Sequence, residues 1–447
     1  MLDIKLKIAR QLHQSGKLEE AKAIYTQVLA VDSDNVSALI ALGEIDDQPL
    51  AFDELRRLLE NAIRADPDSA QLHIQLGKLL RDNNEFDDAC AAFRAAIAID
   101  SRNAYLYDDI AIITQYDEIT DDVRAMQEIY AQSSANSQTK MKLGFALGKV
   151  FDDLQQYDTA FEYFREANRI GAVQANWTNA GRAEWFQYFR KVFDEDFLAR
   201  YQDIGIPDES PIFITGMMRT GSTLREQILC SHPQVYGAGE TMQLNELINE
   251  ISLKTGSPFP QGFNKVDPQL FKDAAIRYIE GLKSLSADTA FFTDKMNYNF
   301  FYAPLIAVML PNAKIIYCKR DPRDQGLSYF QKDLPHNQAY CYDLAQIGEI
   351  TRYMQDLMSY WQELMPGRIF VSHYEELVTE PEERIRDLLD HCGLNFDPAC
   401  LSFYETKREV LNISRAQIRK PMHTKSIGRW KNYAEHLQPL ISALNRD

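Results

Sequence analysis

Residues 211–223 read Pro211-Ile212-Phe213-Ile214-Thr215-Gly216-Met217-Met218-Arg219-Thr220-Gly221-Ser222-Thr223, and a helical run from Leu224 to Ser231 follows. A short apolar strand ends in glycine, passes through a loop of small residues and enters a helix. That order is a recipe for an anion site. The first N–H groups of a helix have no intrahelical partner, and the helix dipole favours negative charge at the same end. Gly221 allows close approach, while Ser222 and Thr223 add hydroxyl donors. The loop lacks the lysine that GxxxxGK[ST] places just before its hydroxyl residue. Arg219 sits earlier instead, and no acidic magnesium ligand lies beside it. The loop is therefore expected to hold a 5′-phosphate-type group without metal-assisted γ-phosphoryl transfer.

Further apolar runs predict strands at 290–294, 313–318 and 368–373, with helices between them. Together with 211–215 they imply an α/β domain with a central parallel sheet. Phosphate groups are expected at the C-terminal ends of such strands. The third strand runs into Arg320-Asp321-Pro322-Arg323-Asp324, with Ser328 beyond it. A guanidinium offers planar, charge-assisted bonds to phosphate, and a serine hydroxyl supplements them.

The N-terminal half differs in kind. Of 17 prolines only Pro49 and Pro67 precede position 200, which suits uninterrupted helices. Residues 1–200 carry 22 basic and 34 acidic side chains, a charge of −12, out of −17 for all 447 residues. A 34-residue register aligns Ala9, Gly43 and Gly77, then Ala21, Leu55 and Ala89, then Tyr25, Leu59 and Phe93, with Ser33, Pro67 and Ser101 at the helix ends. Gly148, Ala160, Phe164 and Ala167 repeat the internal spacing three residues out of phase, and 105–140 is the weakest match. This pattern resembles the tetratricopeptide repeat, a pair of antiparallel helices per unit. The expected organisation is a repeat domain over 1–175, a connecting helix over 176–204, and an α/β domain over 205–447. The aromatic-rich segment from Trp185 to Tyr201 reads as one helix packed between the domains. Stacked repeats present an extended surface, so a protein or peptide partner is expected there, with dimerisation or support of the second domain as the competing role. Its acidity favours a basic one.

Composition excludes several classes. No run approaches the ~18 apolar residues of a membrane span, and the N-terminus lacks the layout of a secretory signal. Six cysteines without CxxC spacing argue against a disulfide framework or zinc module, which suits a reducing, cytoplasmic setting. Net acidity argues against general nucleic-acid binding.

The run GMMRTGSTLREQILCSHPQVYGAGE at 216–240 resembles the 5′-phosphosulfate loop of sulfotransferases, G-x-P-R-S-G-T-T-L. It is most similar to bacterial proteins that fuse tetratricopeptide repeats to a sulfotransferase domain, and to tyrosylprotein sulfotransferases. Met218 replaces the usual proline, and Thr220 and Ser222 exchange hydroxyl types. The resemblance implies a donor, 3′-phosphoadenosine 5′-phosphosulfate (PAPS), and no metal. Arg219, Thr220, Gly221, Ser222 and Thr223 would hold its 5′ end. Arg320, Ser328 and Lys332 match its 3′-phosphate contacts, and Tyr374, in the Tyr374-Glu375-Glu376-Leu377 run, matches a tyrosine near the nucleotide.

Glu240 lies 21 residues after Arg219, the interval that leads to the catalytic glutamate of tyrosylprotein sulfotransferases. A carboxylate there can take the proton of an attacking hydroxyl. Lys295 matches a lysine that neutralises charge on the transferred group or the bridge oxygen. Asn297 stands where the family has proline, Met242 where the tyrosylprotein enzymes have arginine, and Asp294 is expected to orient Lys295. His373, at a strand end, is expected to be structural. Arg415 to Lys431 hold six basic residues and no acidic one. Within that region Ser414, Lys420 and Arg429 resemble the segment that closes over PAPS, with Ser414 at a transition-state serine. The implied reaction is sulfuryl transfer to a hydroxyl acceptor. Fused repeats favour a protein or peptide acceptor, with small molecules, lipids and glycans open. A nucleotide-dependent kinase and an inactive sulfotransferase-like scaffold are the competing readings.

Overall fold

A computed structural model of the chain describes residues 2–14, 17–32, 35–45, 51–175, 181–286, 289–334, 336–406 and 420–446. Two compact units divide between Ile170 and Gly171.

The first unit is built from consecutive helices, among them Leu18–Leu29, Ala70–Asp82, Phe86–Ile99, Gln138–Asp153 and the start of Tyr157–Ala175. Its repeat register has a steric basis. A Cβ at Gly77 would lie 2.6 Å from the Phe93 ring, and one at Gly148 would lie 2.5 Å from the Phe164 ring. Each small residue thus makes room for an aromatic sixteen positions later. Tyr25 fills the same place opposite the fully buried Ala9. The weakly matching stretch still forms paired helices, Ala104–Ile113 and Asp121–Gln132, with buried Ile110, Ala111, Val123 and Met126. Asn103, Thr120 and Ser137 cap successive helices by accepting backbone N–H bonds.

The second unit carries five strands, β1 (Pro211–Thr215), β2 (Val235–Gly237), β3 (Phe291–Asp294), β4 (Lys314–Lys319) and β5 (Ile369–His373). They form one sheet in the order β2-β3-β1-β4-β5 with every pairing parallel. Four strands fall where the sequence predicts them. β2 is the addition, a three-residue strand at one edge. Every residue of β1 is buried, because the sheet is covered on both faces. Ile212 and Ile214 join a core with Ile228 and Leu229 of helix Ser222–Cys230 and Leu388 and Leu389 of helix Pro381–Cys392. Phe213 points the other way and stacks on Tyr278 of helix Pro268–Leu285.

The expected single helix before the sheet is two, Arg182–Val192 and Glu195–Tyr201. Asp194 breaks it by capping the second, accepting from the Phe197 N–H at 2.9 Å. The rings of these helices pack within the second unit, with Phe189 against Phe259 and Phe301 and Phe193 against Trp361.

Candidate active site at the strand ends

From β1 the chain leaves toward β2, and from the neighbouring β4 it leaves toward β5, on the opposite side. Adjacent parallel strands whose connections diverge leave a crevice beyond their C-terminal ends, where ligands of open α/β sheets bind. The loops after β1 and β4 carry Arg219 and Arg320.

Arg219 has φ +62°, a left-handed conformation uncommon for a residue with a side chain, and Gly221 has φ +83°. Such backbone is retained where surrounding structure enforces it, often at functional sites. The Arg219 Nε donates to Ser328 Oγ at 3.0 Å, and Arg320 Nη1 donates to the Arg219 carbonyl at 3.0 Å. The two loops are thereby latched together. Burial, and then the charge of Arg320, pull the Arg219 guanidinium down to about 10. Arg320 lies over the Tyr374 ring, 4.9 Å from its centre, and its Nε is buried without a hydrogen-bond partner among the described residues. A Cβ at Gly221 would meet Tyr374 at 2.8 Å. Arg219, Gly221, Arg320, Ser328 and Tyr374 are therefore one cluster.

The loop hydroxyls behave differently from expectation. Thr220 Oγ1 donates to the Met217 carbonyl at 2.6 Å, and Ser222 Oγ donates to Asn297 Oδ1 at 2.9 Å. Thr220 is committed inside the loop and Ser222 to the segment that follows β3. Thr223 is buried beside them. Lys332 is half-buried just after helix Pro322–Phe330, and Lys420 is exposed. Ser414 lies outside the described residues. Arg429 follows Gly428, whose N–H, with that of Trp430, donates to Asp324 at 2.6 and 2.8 Å. Arg320 Nη2 also donates to the Ser426 carbonyl at 2.7 Å, and Arg323 stacks on Trp430 with 4.0 Å to the ring centre. These contacts fasten the segment from Ser426 to Trp430 to the loop and helix that follow β4.

Across the site, at the C-terminal end of β3, the Lys295 ammonium is ion-paired to Glu240. The lysine side chain is 2% exposed and the glutamate side chain 46%. A backbone bond from Lys295 N–H to the Gly239 carbonyl, 2.8 Å, reinforces the pairing. Asp294 does not orient this lysine. Its carboxylate accepts instead from Tyr278 OH at 2.7 Å and Asn299 Nδ2 at 2.9 Å. Full burial pushes it up to about 7. His373 ends β5, half-buried, as the N-cap of the following helix.

Three contributors escaped the sequence reading. Buried Glu226 accepts from the Gly239 N–H at 3.0 Å and Thr293 Oγ1 at 3.1 Å, and so fixes the segment that bears Glu240. The Asn297 carbonyl accepts from Gly216 N–H at 3.1 Å and Thr215 Oγ1 at 2.8 Å, joining the ends of β3 and β1. Arg225 is fully buried beneath the phosphate loop. Helical periodicity holds the signal for the two charged residues. They precede fully buried Ile228 and Leu229 by two to four positions, on the core side of the helix.

Comparison with known proteins agrees with this architecture. Residues 211–398 match the sulfotransferase family, and residues 2–35 and 52–104 match the tetratricopeptide repeat. An uncharacterized protein of Aquifex aeolicus (strain VF5) is 32% identical over 74% of this chain, but the match spans 44% of that relative's length. A putative protein-tyrosine sulfotransferase of Caenorhabditis briggsae is 26% identical over 50% of this chain and 81% of its own length. Among solved structures, the sulfotransferase domain of the Synechococcus PCC 7002 olefin synthase is 18% identical, with a TM-score of 0.37 over 51% of this chain and 89% of that one. The similarity thus divides along the chain, with tetratricopeptide-repeat matches in the N-terminal unit and a sulfotransferase-family match at residues 211–398.

Proposed function

We propose that the chain is a PAPS-dependent sulfotransferase that sulfates a hydroxyl group. The observation that carries this reading is the pair of latched arginines at the β1/β4 crevice. Arg219 is held left-handed with its Nε on Ser328, and the buried Arg320 Nε has no hydrogen-bond partner among the described residues. A buried donor without an acceptor is costly, and an anionic oxygen would satisfy it. The residues present therefore fit a ligand with phosphate groups at both ends. The β1 loop with Arg219 would take the 5′ end, and Arg320, Ser328, Lys332, Lys420 and Arg429 the 3′ end, with Tyr374 near the nucleotide.

When bound, the donor supplies an activated sulfuryl group, and 3′,5′-ADP is the product. Glu240, half exposed, is open to an acceptor and takes its proton. Lys295 is the buried cation beside it and stabilises charge developing on the bridge oxygen. Ser414 is proposed for the same task on resemblance alone. The repeats would bind a protein or peptide, either as the acceptor or as a partner that brings it, and the cysteine usage suits the cytoplasm. The test is calorimetry with PAPS. Arg219→Ala and Arg320→Ala should each weaken binding at least about tenfold, the scale of a charge-assisted bond; unchanged affinity would refute the assignment. Transfer of labelled sulfate from PAPS to lysate proteins reads the acceptor class, and no transfer to any acceptor would favour a scaffold.

A further inference from the structure

Arg225 is a buried cation whose described contacts are all with neutral groups. It is 0% exposed. Its Nη1 donates to the carbonyls of Thr220 and Gly221 at 2.8 and 3.0 Å. Its Nε donates to Ser372 Oγ and its Nη2 to the Ser372 carbonyl, both at 2.8 Å. Among the described residues no carboxylate pairs with it within 4.0 Å. Burial pulls its pKa down, and Cys318, Tyr374 and the Glu375 carboxylate pull it less strongly the other way. A charge taken out of water without a counter-charge is normally excluded from a protein core. Its hydrogen bonds and the more distant Glu375 carboxylate offset that cost only in part.

The geometry indicates what supplies the rest. The two carbonyls that Arg225 holds belong to the anion loop itself. With those oxygens turned onto the guanidinium, the N–H edges of the same trans peptide units, at Gly221 and Ser222, point away from it. Gly221 is pressed between the two groups, since a Cβ there would lie 2.9 Å from Arg225 Nη1 and 2.8 Å from Tyr374. Arg225 also reaches Ser372 at the end of β5, two strands away from β1 in the sheet. It therefore fixes the loop against a rigid part of the scaffold.

Resting on the donor reading above, we propose that Arg225 is a positioning residue for the 5′ group of the donor. It holds the loop in its anion-facing form and places a fixed positive charge behind it, and the bound anion adds to a counter-charge that the protein supplies only without direct contact, from Glu375. It touches neither donor nor acceptor. A cation about 8 Å from a phosphate, at an effective permittivity of about 20, changes affinity on the order of thirtyfold.

The test compares 3′,5′-ADP with adenosine 3′-monophosphate, which lacks the 5′ group, by calorimetry on the full chain. Arg225→Met keeps bulk and removes charge. It should weaken 3′,5′-ADP roughly thirtyfold while leaving adenosine 3′-monophosphate within about twofold. Arg225→Lys, which keeps the charge and loses the fork, should fall between wild type and Arg225→Met. Ser372→Ala, which removes one anchor outside the loop, should weaken 3′,5′-ADP selectively by a few fold, and it carries the test if Arg225→Met does not fold. Equal weakening of both nucleotides, or of neither, overturns the proposal while the donor reading stands. Wild-type protein that binds neither nucleotide removes the donor reading and this proposal with it.

Discussion

The ion pair between Lys295 and Glu240 is lopsided, with side chains 2% and 46% exposed, and this makes a directional prediction. Glu240→Ala leaves the ammonium buried without its counter-charge. Breaking a fully buried pair from one side costs about 3–5 kcal/mol. Glu240 is half in water, so its solvent screening reduces the expected loss to about 2 kcal/mol. In a unit spanning 171–447, that corresponds to a melting temperature lower by roughly 3–4 °C. Lys295→Met is different. It removes the buried charge, keeps an unbranched side chain of similar length, and leaves a glutamate that water can solvate. Its stability should stay within about 0.5 kcal/mol of wild type. Glu240→Gln should lie between, because its amide oxygen still accepts from the ammonium. All three should lower sulfuryl transfer by about 10²–10⁴. Chemical denaturation followed by circular dichroism, with transfer from labelled PAPS in parallel, gives both readings. The reasoning fails if Lys295→Met is the more destabilising change, or if the two substitutions cost the same.

Four further outcomes follow from single contacts. Gly221→Ala forces a Cβ against Tyr374 and Arg225 at φ +83°, so it should destabilise by about 1–3 kcal/mol in thermal melts and abolish measurable 3′,5′-ADP binding in calorimetry. Glu226→Gln weakens the hold on Gly239 without touching the anion loop; transfer should drop about tenfold while 3′,5′-ADP affinity stays within twofold. Asn297→Ala removes the acceptor of the Ser222 hydroxyl, which should lower stability by about 1 kcal/mol and leave 3′,5′-ADP affinity unchanged or tighter. Burial raises Asp294 from 3.8 to about 7, so the folded state holds its proton over a range where the unfolded chain has lost it. Its contribution is fully present below about pH 4 and is lost as pH rises to about 7, and the stability of wild type relative to Asp294→Asn should decline over that window in urea titrations.

How much of this was legible in the sequence depended on the kind of signal. β1, β3 and β4 are buried apolar runs that need no partner to be recognised, and β5 shares their pattern. β2 is three residues at an edge, too short to carry a pattern of its own. The repeat was legible because a steric fit recurs. Gly77 makes room for Phe93 as Gly148 does for Phe164, and a spacing of sixteen residues is visible without coordinates. Arg219, Arg320, Glu240 and Lys295 were legible as residue types at family spacing, but their pairing was not. That Arg219 meets Ser328, and Lys295 meets Glu240 and not its neighbour Asp294, depends on which loops the strand order brings together. Arg225 was missed because the helix following the loop read as a reporter of the loop alone. Its phase relative to Ile228 and Leu229 marked a charged residue facing the core.

Asn297 shows how a departure from a family pattern changes meaning once its contacts are known. The backbone carbonyl of residue 297 secures Gly216 and Thr215, and proline would keep that function. What asparagine adds is a side-chain acceptor that takes the Ser222 hydroxyl out of the anion pocket. Thr220 turns its hydroxyl inward as well. Anion recognition at this loop then falls on the backbone, curved by left-handed residues at 219 and 221, and on guanidinium groups in front of and behind it. A concave backbone backed by fixed charge responds to the shape and charge of a tetrahedral oxyanion, and only weakly to which atom lies at its centre. Discrimination among nucleotides must therefore come from the other side of the crevice. There Arg320 carries a buried nitrogen with no partner among the described residues, and on the proposed donor reading a ligand lacking an anion at that position would leave it unsatisfied. On the proposed donor reading, the β1 loop would supply general anion affinity and the β4 loop the selection.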